Sequence, residues 1–507
     1  MKITSPCLIL NTSQDAPKRR VLLRDSDGTL LFDVTAHICP DGNFPATIDV
    51  RRFMGKDITI TTEEDGAPVA CRLSNSLPAP TAQEAAGRPL LHFTPNRGWS
   101  NDPNGMVYRD GVYHLYYQHN PMGTDWGNMH WGHATSRDLL RWEDHGVVLF
   151  PDEYGTAFSG CALSDDRRVS GLGNNEKAPL LFFYTAAGGD SRLSAGHPFT
   201  QRLAVSTDDG KTLHPRDGIL ISNIVDGNRD PKVIFAEEWQ AYAMVLYLTN
   251  DRYLLLRSED LLHWTPMQEI RLPGDNECPD FYPLCLRGER YWIFSGAHER
   301  YLIGHLKTDG FVPAGEARSL HHGGHSYAAQ SFSGLPGERR VRIAWDRYPI
   351  PEQPFSRQMG FPLEMSLTER GGHLCLSALP VPELENALGT PVTLEDKTDA
   401  DFPTVAALTH LTVPAGASGT MTLNLFGYSV TLDLTAATLC AGEHVLPLTV
   451  AGGDIDLLVL TDKQSVEIYL DGGTILCTAG HTFGEERMVH VSGLPEGASL
   501  TVRPVCL

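Results

Sequence analysis

The clearest chemistry lies between residues 92 and 121, where the carboxylate of Asp102 stands among side chains able to hold hydroxyl groups. Trp99 and Asn101 come just before it, and the run Gln-His-Asn at 118–120 ends the next strand-like segment. An aromatic ring gives a face on which a sugar ring stacks, and amides give both donors and acceptors. This composition indicates a site for a polyhydroxylated ring, with an acidic group beside it.

The same segment also has the pattern of an ordinary β-hairpin. In the run Asp-Pro-Asn-Gly at 102–105, proline fixes φ and Asn-Gly accepts positive φ, so a tight turn is expected. Strand-like runs at 106–108 and 112–117 flank a second turn, Asp110-Gly111. A polar turn that faces water would satisfy this pattern, so it is the neighbouring aromatic and amide side chains that favour a site.

Two further acidic motifs precede apolar strand-like runs. The run Asn-Arg-Asp-Pro at 228–231 contains Arg229 and Asp230, and the run Asn-Glu-Cys-Pro-Asp at 276–280 contains Glu277. Taken alone, each is most simply an Asx-type or proline turn, and an Arg-Asp neighbour pair is commonly a solvated surface pair. Their interest comes from standing in the same chain as Asp102.

In this order, the three motifs resemble the signatures of glycoside hydrolase family 32, the β-fructofuranosidases that include invertases, inulinases and levanases. The run Trp-Ser-Asn-Asp-Pro-Asn-Gly at 99–105 is the most specific part of the resemblance. It implies that Asp102 is the nucleophile, Glu277 the acid/base and Asp230 the stabiliser of the transition state, with Arg229 binding substrate. A retaining glycosidase needs such a pair of carboxyl groups about 5 to 5.5 Å apart.

The resemblance extends to further substrate-binding positions. It implies two hydroxyl-binding amides and a set of pocket-lining side chains: Asn101, Gln118, Trp126, Phe158, Ser159, Tyr327 and Trp345. Ordinary core packing is the alternative for each of them, above all for Phe158 and Trp345. The run Gly-His-Ser-Tyr-Ala-Ala-Gln at 324–330 departs from the family pattern, because His325 replaces an acidic residue and leaves the leaving-group preference open.

A weak internal repeat shows which elements position these residues. Strand-like runs end in Ser-x-Asp at 136–138, 206–208 and 258–260, and 307–309 is a degenerate fourth copy. A spacing of roughly 50 to 70 residues fits four-stranded propeller blades. A β-sandwich whose hairpins share a turn sequence is the alternative, and the family resemblance implies a five-bladed propeller.

We therefore predict an all-β protein of three units. Residues 1–88 form a small N-terminal β module that ends in a linker at 77–87, and residues 89–360 form a five-bladed β-propeller catalytic domain. Residues 361–507, with alternating runs such as 419–425 and 465–470, form a C-terminal β-sandwich. A length of 507 residues suits two or three domains.

Composition limits the classes of binding partner and the cellular compartment that we expect. Lys+Arg 41 against Asp+Glu 62 gives a net charge of −21, which argues against nucleic acid or an anionic membrane. Ten scattered cysteines without a CxxC pair suit reduced thiols in a cytoplasm. The first 20 residues lack the apolar core of a signal peptide, and no apolar run approaches about 20 residues, so a cytoplasmic location is expected.

The activity expected from the resemblance is exo-acting β-D-fructofuranosidase chemistry with retention, on sucrose and on fructo-oligosaccharides or fructans of the levan or inulin type. The partner expected is thus a fructose-containing oligo- or polysaccharide, with the oligomeric state open between monomer and homodimer. Four histidines lack a zinc-ligand pattern, so neither metal nor cofactor is expected: His130, His133, His321 and His322. A fructosyltransferase would share every residue named above. A non-catalytic carbohydrate-binding propeller would be expected to have lost a carboxylate.

Overall fold

The computed structural model describes residues 1–174, 176–323, 325–448 and 453–507, with every side chain in those ranges except that of Gln83. Within these ranges the chain forms 41 β-strands arranged in nine sheets. No helix in this part of the chain is long and apolar enough to cross a membrane. The all-β prediction is confirmed.

The N-terminal module consists of two three-stranded antiparallel sheets around one apolar core. Their orders are β4-β1-β6 and β3-β2-β5, and a 3-10 helix at Arg51–Phe53 follows β4. The strands are β1 (Cys7–Thr12), β2 (Lys18–Asp25), β3 (Leu30–His37), β4 (Phe44–Asp49), β5 (Ile58–Thr62) and β6 (Cys71–Ser74).

The predicted linker at 77–87 contains a short helix, α1 (Ala82–Ala86). Thr81 and Glu84 form a reciprocal capping box at its start, because Glu84 N donates to Thr81 Oγ1 at 3.3 Å and Thr81 N donates to Glu84 Oε2 at 2.5 Å. Arg97 pairs with Glu84 at 2.7 Å, so this helix is anchored to the chain that enters the next unit.

Five sheets follow in chain order, as expected for a five-bladed propeller. The first blade contains β7 (Gly98–Arg109), β8 (Val112–Asn120), β9 (His130–Ser136) and β10 (Glu143–Leu149), and the second contains β11 (Thr156–Ser164), β12 (Leu180–Ala187), β13 (Thr200–Ser206) and β14 (His214–Pro215). The third blade contains β15 (Arg229–Ala236), β16 (Ala241–Thr249), β17 (Arg252–Ser258) and β18 (Thr265–Arg271). The fourth contains β19 (Asp280–Leu286), β20 (Glu289–Ser295), β21 (Arg300–Lys307) and β22 (Gly310–Pro313), with β23 (Arg318–Ser319) beside β21.

The fifth sheet closes the ring. It contains β24 (Ser326–Ser331), β25 (Val341–Asp346), β27 (Gln358–Met359), β28 (Leu363–Arg370) and β29 (His373–Pro380), whereas β26 (Phe355–Ser356) pairs in parallel with β7 of the first sheet. The first strands of successive blades contact one another, and β24 contacts β7. These first strands therefore surround the propeller axis.

The Ser-x-Asp repeat is the turn between the third and fourth strands of a blade. Ser136, Ser206 and Ser258 each end a third strand, and their hydroxyls donate to the carboxylate two residues later at 3.1, 2.8 and 3.2 Å. The carboxylates then accept backbone N–H groups of the turn, as Asx-type turns do. The blade interpretation of the repeat is confirmed.

The C-terminal unit is a sandwich of two six-stranded sheets with an apolar core between them. A 3-10 helix at Pro382–Ala387 leads into it. Its strands are β30 (Val392–Leu394), β31 (Asp399–Asp401), β32 (Ala407–Val413), β33 (Thr420–Leu425), β34 (Tyr428–Asp433), β35 (Thr438–Ala441), β36 (His444–Pro447), β37 (Ile455–Asp462), β38 (Ser465–Leu470), β39 (Ile475–Gly480), β40 (Met488–Ser492) and β41 (Ser499–Pro504).

The fifth blade crosses the domain boundary predicted after residue 360. Val341 pairs with Glu364, and β28 continues into β29 as far as Pro380. The boundary therefore falls inside a sheet, because a hairpin at the end of a propeller has the same local pattern as one at the start of a sandwich. The predicted boundary after residue 88 stays a prediction.

Candidate active site

Asp102 lies at a β-bulge in the first strand of the first blade. Asn101 pairs with Gln118 and Pro103 pairs with Tyr117, so Asp102 has no residue opposite it on β8. A bulge re-aims the side chain of the extra residue. The predicted turn at 102–105 is thus part of the long strand β7, and its irregularity points the carboxylate into a cavity instead of into the sheet.

The other two acidic residues also lie at backbone irregularities. Asp230 has φ +63° and lies at a register shift in β15, where its N–H donates to Thr185 Oγ1 at 2.9 Å. Glu277 and Cys278 have φ +52° and +35° in the turn before β19. Positive φ is uncommon outside glycine and concentrates at functional sites, where the surrounding structure holds it.

Cys278 lies between the two aspartates. Its Sγ is 3.5 Å from Asp102 Oδ2 and 3.5 Å from Asp230 Oδ2, and its backbone N–H donates to Asp230 Oδ2 at 3.1 Å. Burial raises the pKa of this thiol well above its usual value, and the charges of Asp102 and Asp230 raise it further. The thiol therefore stays protonated and can donate to one carboxylate at a time.

The pKa of the Asp102 carboxyl is raised overall. Burial raises the pKa of its carboxyl, and hydrogen bonds from Ser159 and Asn101 act in the opposite direction. The hydroxyl of Ser159 donates to Asp102 Oδ2 at 2.6 Å. The negative charge of Glu277 also raises this pKa. Ser159 thus favours the ionised form that a nucleophile needs.

The pKa of Asp230 is raised as well. Burial raises its pKa to about 7, reinforced by the charges of Glu277 and Asp102 and opposed by the guanidinium of Arg229. Arg229 Nε is 3.8 Å from Asp230 Oδ2. Near neutral pH, a carboxyl group with this pKa can accept hydrogen bonds from hydroxyl groups when ionised and donate one to a hydroxyl group when protonated.

Two donors fix the orientation of Glu277. Arg229 Nη2 lies 2.5 Å from Oε1, and the Tyr327 hydroxyl donates to Oε2 at 2.8 Å. Burial raises the pKa of the Tyr327 hydroxyl, and the neighbouring Cys278 and Glu277 raise it further, so it remains a donor. Both oxygens of the carboxyl are therefore held, one from the third blade and one from the fifth.

One cavity of about 630 Å³ brings all of the predicted site residues together. One wall is aromatic, with the Trp126 and Phe158 rings 6.1 Å apart and the Phe158 and Phe199 rings 5.4 Å apart, edge to face. Tyr327 and Trp345 form a second aromatic side at 6.2 Å. The lining includes all eleven predicted residues: Asn101, Asp102, Gln118, Trp126, Phe158, Ser159, Arg229, Asp230, Glu277, Tyr327 and Trp345.

Residues 92–378 match the family model for the N-terminal domain of glycosyl hydrolases family 32. This chain belongs to glycoside hydrolase family 32. It is 30% identical over 461 residues to the levanase of Bacillus subtilis (strain 168), covering 77% of this chain and 66% of the levanase. It is also 30% identical over 335 residues to an extracellular exo-inulinase of Aspergillus niger, covering 55% of this chain and 62% of the inulinase. The chain thus spans less than two thirds of either relative's length.

The fold of this family 32 chain is similar to that of solved enzymes. The exo-inulinase from Aspergillus awamori superimposes with a TM-score of 0.75 at 24% identity, over 83% of this chain and 98% of that chain. The sucrose-6-phosphate hydrolase from Lactobacillus gasseri superimposes with a TM-score of 0.69 at 21% identity, over 83% and 94%. At these identities the similarity shows the fold alone.

The structure adds cavity residues that the sequence did not indicate. They are Met129, Asp190, Phe199, Asp226 and Gly227. Asp226 stands only four residues before Asp230, so the sequence around Asp230 contained a signal for it. Phe199 and Met129 had none, since isolated apolar residues do not show which face they occupy. His325 does not line this cavity; its ring faces Tyr348 and His444 instead.

The aromatic residues for which core packing was the alternative are placed at the cavity. Phe158 and Trp345 are both half-buried, and both line it. Trp126 is 51% exposed and lies at the rim. Asn101 Oδ1 accepts the indole N–H of Trp99 at 2.7 Å, and the Gln118 amide donates to the Ala157 carbonyl at 2.9 Å, so both amides are held in one orientation.

The N-terminal module of this family 32 chain, outside the matched residues, contacts the rim of the cavity next to Trp126. Lys18 Nζ lies 2.7 Å from Asp125 Oδ2. Asn128 forms three hydrogen bonds with Thr35: its Oδ1 accepts the N–H at 2.7 Å and the hydroxyl at 3.2 Å, and its amide donates to the carbonyl at 2.8 Å. The segment 125–128 is therefore held on both sides of Trp126 by β2 and β3.

A second rim segment is held in the same way. Asp33, a buried carboxylate in β3, accepts the backbone N–H groups of Arg192 and Leu193, each at 3.0 Å. Arg192 also pairs with Glu63 at 2.7 Å. Asp190, which lines the cavity, is two residues away from the first of these bonds. The module thus supports two loops of the site although it contributes no lining residue.

Proposed function

We propose that this chain is a retaining exo-β-D-fructofuranosidase that hydrolyses terminal β-fructosyl linkages of fructo-oligosaccharides, fructans and sucrose. The observation that carries the proposal is the grouping of Asp102, Asp230 and Glu277 in one cavity, joined through Cys278 and Arg229. Two carboxyl groups are the minimum for this chemistry, and the third holds the sugar.

In the first step, an ionised Asp102 attacks the anomeric carbon of the terminal fructosyl unit. The bond to the leaving oxygen breaks, and the proton of Glu277 passes to that oxygen. The product is a fructosyl–enzyme ester and a free alcohol. Ser159 lowers the pKa of the attacking carboxyl. The thiol of Cys278 lies between Asp102 Oδ2 and Asp230 Oδ2 and keeps the two carboxyl groups in place.

In the second step, Glu277 accepts a proton from water, and the resulting hydroxide oxygen attacks the same carbon. The ester bond to Asp102 breaks, which regenerates the carboxylate and releases fructose with its original configuration. Arg229 and Tyr327 keep the Glu277 carboxyl in one position through both proton transfers. Positioning of this kind contributes because a small displacement of a reacting group lowers the rate strongly.

The rest of the cavity suits a single fructosyl unit. The Trp126–Phe158–Phe199 side offers aromatic faces and edges to the ring, while Asp230 and Asn101 face its hydroxyls. Relatives named levanase and exo-inulinase support fructans as substrates, and a relative named invertase supports sucrose.

A substrate panel of sucrose, kestose, inulin and levan, with sizing of every product, tests the proposal. Free fructose should be the first product from every accepted substrate. Products longer than the substrate at high sucrose would identify a fructosyltransferase, and binding without turnover would identify a carbohydrate-binding propeller. Rapid NMR of early product should show the β-anomer; an initial α-anomer would require an inverting pair, with carboxyls roughly 6.5 to 9.5 Å apart.

A further inference from the structure

His325, Glu443 and His444 converge where the fifth blade meets the sandwich. Their ligand atoms, one from each side chain, all lie within 4.8 Å of one another. His325 immediately precedes β24, whereas the other two residues belong to the hairpin of β35 and β36. The three side chains thus come from segments more than 110 residues apart in the sequence.

The backbone fixes both halves of this cluster. Ala441 pairs with His444 across a two-residue turn, and Gly442 at its first central position has φ +57°, as a type II′ turn requires. The carbonyl of His325 accepts the N–H of Arg347 at 2.8 Å. The His325 and His444 rings pack edge to face at 5.7 Å. The two imidazoles are therefore held near each other by local structure on each side.

Three other histidines of this chain each form a close contact with one carboxylate. His410 is 2.7 Å from Asp456, His490 is 2.5 Å from Asp399, and His263 is 2.6 Å from Asp260. In contrast, the ligand atoms of His325, Glu443 and His444 lie close to one another, two imidazoles beside one carboxylate. This grouping of two nitrogen ligands and one oxygen ligand is the arrangement that a single bound ion requires.

The negative charge of Glu443 suits a cation here, although Arg347 and Arg357 lie near His325. A neutral imidazole is the form that binds a metal. The Glu443 carboxylate supplies the negative charge beside the two rings.

We propose that His325, Glu443 and His444 bind one divalent transition-metal ion of the zinc class, with water in the fourth position. Two imidazoles and one carboxylate form a donor set that suits Zn²⁺, Co²⁺ or Ni²⁺. Ca²⁺ and Mg²⁺ suit it poorly, because they take oxygen ligands. The ligand atoms lie within 4.8 Å of one another. Small side-chain rotations are enough to place each of them about 2.0 to 2.2 Å from a zinc ion between them. The ion would fasten the sandwich to the blade segment that contains Tyr327.

Cobalt alone is the best probe, because its visible spectrum reports coordination geometry and thiolate ligation gives a separate charge-transfer absorption. The full chain, stripped with a chelator, should take up one Co²⁺ with a tetrahedral-type spectrum and no thiolate absorption. Zn²⁺ should displace it, Ca²⁺ and Mg²⁺ should not, and Zn²⁺ should raise the midpoint of thermal unfolding. No stoichiometric uptake, or a thiolate spectrum from one of the free cysteines, would overturn the proposal.

Two variants and one matched control complete the test. His444→Ala should weaken Co²⁺ binding by about 100-fold or more, since even losing an outer-shell partner costs roughly 10- to 100-fold. Glu443→Gln, at an exposed turn position, should weaken it without affecting folding. His410→Ala removes a histidine of the same sandwich and should leave binding unchanged. Wild-type affinity in both His444→Ala and Glu443→Gln would disprove the site.

Discussion

The hydroxyl of Ser159 donates a 2.6 Å hydrogen bond to Oδ2 of Asp102. This bond lowers the pKa of Asp102 against the effect of burial. Ser159→Ala removes the stabilisation of the ionised form, so the pKa of Asp102 should rise. Because kcat/KM reports groups of the free enzyme, its acidic limb should move to higher pH.

The control for this prediction lies on the same strand. Ser164 ends β11 and donates to Asp166, an exposed carboxylate, at 2.6 Å. Ser164→Ala should leave the pH profile unchanged. An unchanged acidic limb in Ser159→Ala would mean that Asp102 does not set that limb.

Asp102→Asn should abolish turnover on sucrose. The amide cannot form the fructosyl ester, and loss of a covalent route costs about four orders of magnitude in rate or more. The unfolding midpoint should not fall, because the substitution removes a buried charge and keeps the shape of the side chain. Calorimetry and initial rates measure the two effects, with the exposed Asp166→Asn as control; substantial activity in a pure Asp102→Asn sample would exclude the nucleophile assignment.

Glu277→Ala should lose far more rate on sucrose than on an aryl β-fructofuranoside. A sugar alkoxide needs a proton to leave, whereas an activated phenolate does not. Hydrolysis of the ester should then limit turnover of the aryl substrate, and azide, which needs no general base, should restore turnover as fructosyl azide.

A matched control exists for the loss of the Glu277 carboxyl. Glu269 also pairs with an arginine, Arg252, at 2.6 Å, but on the outer strand of the third blade. Glu269→Ala should retain both activities. Equal losses on the two substrates in Glu277→Ala, without azide rescue, would assign acid/base chemistry to another residue, with Asp230 the first candidate.

Lys18→Met should weaken the binding of substrates that are long enough to contact the rim of the cavity. Lys18 holds Asp125, the neighbour of Trp126, so its loss frees one side of the segment 125–128. We expect KM for inulin or kestose to rise several-fold while kcat on a small aryl fructoside stays nearly constant. Lys18→Arg should restore the wild-type KM, because it keeps the ion pair.

Lys56 supplies the comparison for Lys18. It pairs with Asp25 at 2.6 Å within the N-terminal module, far along the sequence from the rim segments. Lys56→Met removes an equivalent exposed pair and should change neither parameter. An equal KM increase in both variants would indicate a general effect on the module and no positioning of Trp126.

A buried polar cluster should make the stability of this chain decline in alkaline solution. His92 at the start of the propeller lies 2.9 Å from Asp462 and 3.4 Å from Glu467 of the sandwich. Burial lowers the pKa of His92, but these two carboxylates outweigh it and raise the value to about 10. The stability that protonated His92 contributes is fully present below its unfolded value of 6.5 and is lost as pH rises towards 10.

Asp346, in the same cluster, acts in the same direction. Burial and the charge of Glu467 raise its pKa from 3.8 to about 8. Ionising it in the folded state is thus unfavourable, and the cost grows as pH rises from about 4 to 8. The thermal midpoint should fall between pH 6 and 9, less steeply in Asp346→Asn, and a midpoint that rises over this range would contradict the prediction.

The sequence by itself determined the acidic motifs, their order, the strand-rich texture and the blade repeat. These features are local: turn residues and alternating side chains act over a few neighbouring positions, so Asp102, Asp230 and Glu277 are recognisable where they stand. The Ser-x-Asp turns at Ser136, Ser206 and Ser258 are local in the same sense. Local patterns thus mark the acidic residues, whereas the folded propeller brings all eleven predicted residues into one cavity.

The tertiary structure decided how distant segments meet. Cys278 touches two carboxylates that are 176 and 48 residues away, and Lys18 reaches Asp125 across 107 residues. His325 meets His444 only because the sandwich packs on the fifth blade. Side-chain contacts of this kind depend on the register and packing of whole sheets, which a local pattern does not encode.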